Sequence, residues 1–81
     1  MEYVITFISP SYAIKGESVL LKAGVPVTVM PLPARIKAGC GICLRVKKED
    51  IDRVAPILAE NCVTGTELYL KKGTEWTKIE D

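Results

Sequence analysis

The sequence predicts an α+β fold: a two-layer ferredoxin-like β-α-β-β-α-β sandwich, with an antiparallel sheet and both helices on one face. Two observations predict it. Short stretches of β-branched and aromatic residues alternate with two segments of helical period. Each change of period is marked by serine, proline or glycine. The 81 residues suit one domain, assigned to residues 1–73, with residues 74–81 as a C-terminal tail or a short added strand.

Taken in order, Tyr3 to Ile8 reads as a first strand. Ser9 followed by Pro10 is a helix start, a capping hydroxyl with proline at the first helical position. The helix runs to Ala23, with Gly24 as its stop. Tyr12, Ala13, Gly16, Val19, Leu20 and Ala23 share one face, and Gly16 allows close approach to the sheet. Val25 to Met30 is a second strand with Val25, Val27 and Val29 facing the core. Pro31 and Pro33 stop it and stiffen a loop. Gly41 to Val46 is a third strand, with Ile42, Leu44 and Val46 on one side and Cys43 and Arg45 on the other. Glu49, Asp50 and Asp52 open a second helix with a stripe of Ile51, Val54, Ala55, Leu58 and Cys62, which Pro56 kinks or shortens. Glu67 to Leu70 is a fourth strand, Lys72-Gly73 a turn, and Glu75 to Ile79 the added strand or tail.

Right-handed crossovers place the first and third strands in the middle. The loop before the third strand then lies at the domain edge where the first helix begins and the second ends. Cys40 is therefore expected there, partly exposed and close to Ser9–Tyr12, with Cys62 on the same side. Alternation leaves Pro26, Thr28, Met30, Cys43 and Arg45 on the open face, together with apolar groups of the first strand. Such a face predicts a homodimer, or docking of a partner, unless Trp76 folds back over it.

Composition narrows the function classes. Eleven basic residues face ten acidic ones for a net charge of +1, so no global field draws the chain to nucleic acid or an anionic membrane. No apolar run approaches the roughly 18 residues of a membrane helix. No basic segment with an apolar run opens the chain, so the expected location is the cytoplasm. The three cysteines fit a disulfide framework poorly and are expected as thiols. A zinc site needs four ligands, and the chain has three cysteines and no histidine. A copper module of similar fold carries Cys-x-x-Cys after its first strand, where Ser9-Pro10-Ser11 stands. No cofactor is implied, and no residue set amounts to a self-contained enzyme.

The chemistry concentrates in Pro31-Leu-Pro-Ala-Arg-Ile-Lys-Ala-Gly-Cys-Gly-Ile-Cys43. Gly39 and Gly41 leave the Cys40 sulfur uncrowded. Arg35 and Lys37 lie just upstream, and cations with a nearby helix N-terminus favour thiolate, lowering the pKa from about 8.5. Cys40 is thus expected to be the most reactive thiol. The other reading makes Cys40 a small buried hydrophobe opening a core strand. Cys43 completes a Cys-x-x-Cys, but residues three apart in a strand point to opposite faces. A redox pair therefore needs an irregular turn at Cys40, and the alternative places Cys43 on the open sheet face.

Over nearly the whole chain, to about Tyr69, these features resemble the bacterial family of putative Se/S carrier-like proteins. The matching residues are Thr6-Phe7, Ser9, Ala13, Gly24-Val25-Pro26-Val27, Pro31, Pro33, Arg35, Gly39-Cys40-Gly41 and Glu49-Asp50. The resemblance implies that Cys40 carries sulfur or selenium as a persulfide or selenopersulfide. A desulfurase-type donor supplies it and an acceptor protein receives it. Arg35 and Lys37 favour the thiolate, and Pro31 and Pro33 hold the loop open. Cys43 departs from the family pattern, which has a small or apolar residue there, and makes a second thiol available. A reading from a different class is a non-catalytic docking module, binding a partner through the sheet face or proline loop, with Cys40 structural.

Overall fold

The computed structural model describes residues 2–37 and 41–79. Their order is β1 Glu2–Thr6, α1 Pro10–Lys22, β2 Val27–Pro31, β3 Ile42–Val46, α2 Ile51–Glu60, β4 Glu67–Lys72 and β5 Glu75–Ile79, with a 3-10 turn Lys48–Asp50 before α2. The strands form one sheet in the order β2-β3-β1-β4-β5, and every neighbouring pair is antiparallel. The protein is thus a small α+β fold with a five-stranded antiparallel sheet and two helices. β1 and β3 lie in its interior, as the crossovers require. Glu75–Ile79 forms β5, which pairs with β4 from Leu68↔Ile79 to Lys72↔Glu75. Gly73, with φ 61°, sits at the first central position of the connecting two-residue turn, as a II′ hairpin requires.

The register sorts side chains into two faces. Val29, Leu44, Ile5 and Leu68 line up across the sheet on one face. Val46 and Ile42 follow the same parity. Ile5, Leu44 and Val46, with the partly buried Ile42 and Leu68, meet Ala13 and Leu20 of α1 and Val54 and Leu58 of α2 in the main core, so both helices pack on this face. Val29, expected to face the core, is instead exposed, because it lies on the edge strand β2 outside that cluster. The opposite face carries Met30, Cys43, Thr6 and Glu67 in one row, and Thr28, Arg45, Val4, Tyr69 and Lys78 in the next.

Local chemistry sets the helix ends. The Ser9 hydroxyl accepts from the Tyr12 amide at 3.3 Å, with Pro10 first in the helix. At the other end of α1, Val25 N–H donates to Leu20 O at 2.9 Å and Gly24 N–H to Leu21 O at 3.1 Å. This is a Schellman cap with Gly24 at the left-handed position, φ 82°. It fixes Val25 fully buried in the core, and β2 begins only at Val27 because Val25 belongs to the cap. Ala23, expected on the buried stripe, is exposed, since as cap residue it has left the helical period. Ala55 is exposed as well. Pro56 lies inside α2, which ends four residues later at Glu60, and the acids Glu49 and Asp50 occupy the preceding 3-10 turn.

Gly16 has a specific packing reason. A Cβ there meets Phe7 Cε2 at 2.7 Å and Cζ at 2.9 Å, and Phe7 is buried beneath α1 with nowhere to retreat. Gly16→Ala gains about 1 kcal/mol of helix propensity but overpacks the core, which costs about 1–3 kcal/mol. The expected result is a net loss of roughly 1 kcal/mol in urea denaturation, a fall in Tm of about 4–8 °C. A more stable Gly16→Ala protein contradicts this packing account.

Candidate functional site: the β2–β3 loop and the sheet face beneath it

The chemistry-bearing loop connects the edge strand β2 to β3. Pro31 ends β2 and pairs with Ile42, a position open to proline because β2 is an edge strand. One residue on, Leu32 N–H donates to Gly41 O at 3.0 Å, closing the base of the loop. Residues 33–40 lie between these two anchors. Ile36 N–H returns to Pro33 O at 3.0 Å, so the segment after Pro33 is a tight turn. Arg35 and Lys37 are exposed and make no ion pair with a described residue. Gly39 and Cys40 lie outside the described residues, and with them the expected exposure of Cys40 and its proximity to α1.

The neighbourhood of the loop base is defined. Thr6 pairs with Cys43 on one side and Glu67 on the other. One edge therefore collects the end of β1, the Ser9 cap of α1, the loop base and the turn from α2 into β4. Gly65 of that turn lies against Ile8.

Sequence reasoning did not foresee what the loop does to the open face. Pro31 and Pro33 do not hold the described part of the loop away from the sheet. Ile36, 4% exposed, packs with Val4 and Cys43, both at 0%, in a second apolar cluster. Met30, Leu32, Tyr69 and Trp76 surround it. The physical reason is the face itself: Val4, Met30, Tyr69 and Trp76 would form an exposed apolar patch, and Leu32 and Ile36 are the apolar side chains of the loop. Two large aliphatics among prolines and cations were the available signal. Trp76, from β5, adds its ring to this face, with Lys71 Nζ 5.6 Å from the ring centroid.

The polar groups around the cluster pair with one another. Arg45 and Lys71 flank Glu2 at 3.1 and 3.8 Å, and Lys78 meets Glu67 at 2.6 Å. The Tyr69 hydroxyl donates to Glu67 Oε1 at 3.5 Å. Burial, then the neighbouring Glu67 carboxylate, raises the Tyr69 phenol above its ordinary value. On the helix side, β5 extends the sheet past α2 and leaves a groove of about 680 Å³, lined by Ile5, Ile8, Val54, Leu58, Leu68 and Ile79 among others.

The two described thiols differ. Cys43 lies on the open-face side, as alternation requires, but is fully covered, with Sγ 3.9 Å from Pro31 O. Cys62 is not on the α2 stripe: it is exposed and has φ 60°. It occupies the left-handed position of a second Schellman cap, in which Val63 N–H donates to Leu58 O at 2.9 Å and Cys62 N–H to Ala59 O at 3.2 Å. Among the described residues no group of three or more His, Cys, Asp or Glu could hold a metal ion, and no helix is long and apolar enough to cross a membrane.

The chain belongs to the family described as Putative Se/S carrier protein-like, which matches residues 2–70. The match takes in both helices, the loop and β1 to most of β4, and leaves β5 outside it. No curated protein and no solved structure matches the chain.

Cys62 fills a position that favours glycine, at a strain of about 1 kcal/mol for a residue with a Cβ. Cys62→Gly relieves that strain but frees the unfolded chain. The expected net gain is about 0.5 kcal/mol, a Tm a few degrees higher by calorimetry. A clear loss of stability shows that the cap does not govern this position.

Proposed function

We propose that this chain is a carrier, rather than a self-contained enzyme, that holds sulfur or selenium on Cys40. Family membership supports the class. The observation that carries the assignment to this loop is its base: the Leu32–Gly41 hydrogen bond closes the loop at Gly41, the residue that follows Cys40 in the sequence and leads into β3. The exposed cations Arg35 and Lys37 favour thiolate in such a loop. The order β2-β3-β1-β4 with two helices on one face fits a ferredoxin-like sandwich to which β5 has been added.

The chemistry is two thiolate displacements. The Cys40 thiolate attacks the outer sulfur of a persulfide on a desulfurase-like donor. A bond forms from Cys40 Sγ to that sulfur, the donor S–S bond breaks, and the donor cysteine leaves as thiolate. An acceptor thiolate then attacks the carried sulfur, and Cys40 leaves as thiolate. Selenium follows the same path as a selenopersulfide. The two transfers need no added oxidant, which suits a reducing cytoplasm. Docking through the open sheet face, the alternative from the sequence, finds that face partly occupied by Ile36 and Trp76. The same contacts reduce the apolar area on which the expected homodimer rests.

The test is intact-protein mass spectrometry after incubation with a cysteine desulfurase and cysteine, or a selenocysteine-lyase-type donor and selenocysteine. The expected result is a gain of one or more sulfur or selenium atoms in the wild-type chain, abolished in Cys40→Ser and retained in Cys62→Ser. A gain that survives Cys40→Ser, or no gain while a control acceptor is loaded, contradicts the proposal.

A further inference from the structure

The main core, between helices and sheet, is built by both helices and the strands, joined by Phe7, Val25 and Val63 from their connections. The second cluster, on the opposite face, has a different construction. Its floor is Val4 and Cys43 from the interior strands, and among the described residues its one fully seated roof residue is Ile36. Residues 32–37, which supply that roof, form neither helix nor strand. Among the described residues two backbone hydrogen bonds shape the segment, Leu32 to Gly41 at the base and Ile36 to Pro33 within the turn. Neither ties the turn itself to the sheet, so among the described residues the burial of Ile36, with Leu32 packed beside the cluster, is what holds it down. Segments with so few attachments open at free energies well below that of global unfolding.

We propose that residues 32–37 are a strap that opens and closes over the open face as a unit of its own. Ile36 is its latch, and the state of the strap sets access to the Cys43 thiol. Undocking Ile36 leaves the ladders β2–β3, β3–β1 and β1–β4 paired and the helix-side core intact, because that core lies on the far side of the sheet. It uncovers Cys43, now 0% exposed. Trp76 packs against the same cluster from β5, so the strand outside the family match reinforces the closed state. The consequence for function rests on the carrier reading. With the strap closed, Cys43 cannot compete with the loop thiol Cys40. With it open, Cys43 becomes a second reactive thiol of this chain.

The strap itself is tested without Cys40. In a Cys40→Ser/Cys62→Ser chain, Cys43 is the sole thiol, and its alkylation by iodoacetamide is followed in native buffer and in low urea. Global unfolding of the same chain is measured separately. The expected rate exceeds that allowed by the global unfolding equilibrium and is nearly independent of low urea. Adding Ile36→Ala raises it by roughly tenfold or more, the effect of removing a buried aliphatic side chain from one state only. If Ile36→Ala does not fold, Ile36→Val is expected to give a smaller rise in the same direction. Labelling that tracks global unfolding in every variant, with the full urea dependence, overturns the strap. Failure of sulfur loading on Cys40 refutes the carrier reading and leaves this result standing.

Discussion

The contact on which the site depends is the seating of Ile36 against Val4 and Cys43. β1 is the strand that makes it available. Paired on both sides, with β3 and β4, it turns Ile5 toward the helices and Val4 toward the opposite face. A two-layer fold with helices on one side leaves the second face of its sheet without a layer of its own. Here a loop side chain and a ring from the last strand cover its centre. The same loop carries the conspicuous thiol, so the packing that completes the fold also sets the position of the segment flanking that thiol.

This arrangement separates the roles of the cysteines by burial and backbone rather than by sequence spacing. Cys43 alternates onto a covered face. Cys62 serves a helix terminus in the left-handed conformation, the counterpart of Gly24 in α1. Both helices end in the same hydrogen-bonded cap, and each cap delivers the next apolar residue, Val25 or Val63, into the core. The cap that displaces Cys62 from the apolar stripe is therefore the one that secures the turn leading into β4.

Much of this was legible in the sequence, for identifiable reasons. Ser9-Pro10 and Gly24 bracket α1 because caps are local chemistry. The alternation Ile42, Leu44, Val46 against Cys43, Arg45 gave the correct faces of β3 because the strand period is fixed. What was not legible depended on contacts distant in the chain. Cys62 reads as the continuation of Ile51, Val54 and Leu58 until the Schellman cap ends the period at Glu60. Prolines 31 and 33 suggest an upstanding loop, but the uncovered apolar face draws Leu32 and Ile36 down. Trp76 could be assigned to neither strand nor tail, because pairing with β4 decides it.

The central claim, that the loop is folded onto the open face by Ile36, is most directly tested by methyl NMR in solution. With Ile and Val methyl groups labelled, the account predicts nuclear Overhauser contacts from the Ile36 methyls to those of Val4. Ring-current shifts from Tyr69 or Trp76 should disappear in the corresponding alanine variants. An Ile36 δ1 methyl at its unstructured shift, without a contact to Val4, contradicts the account.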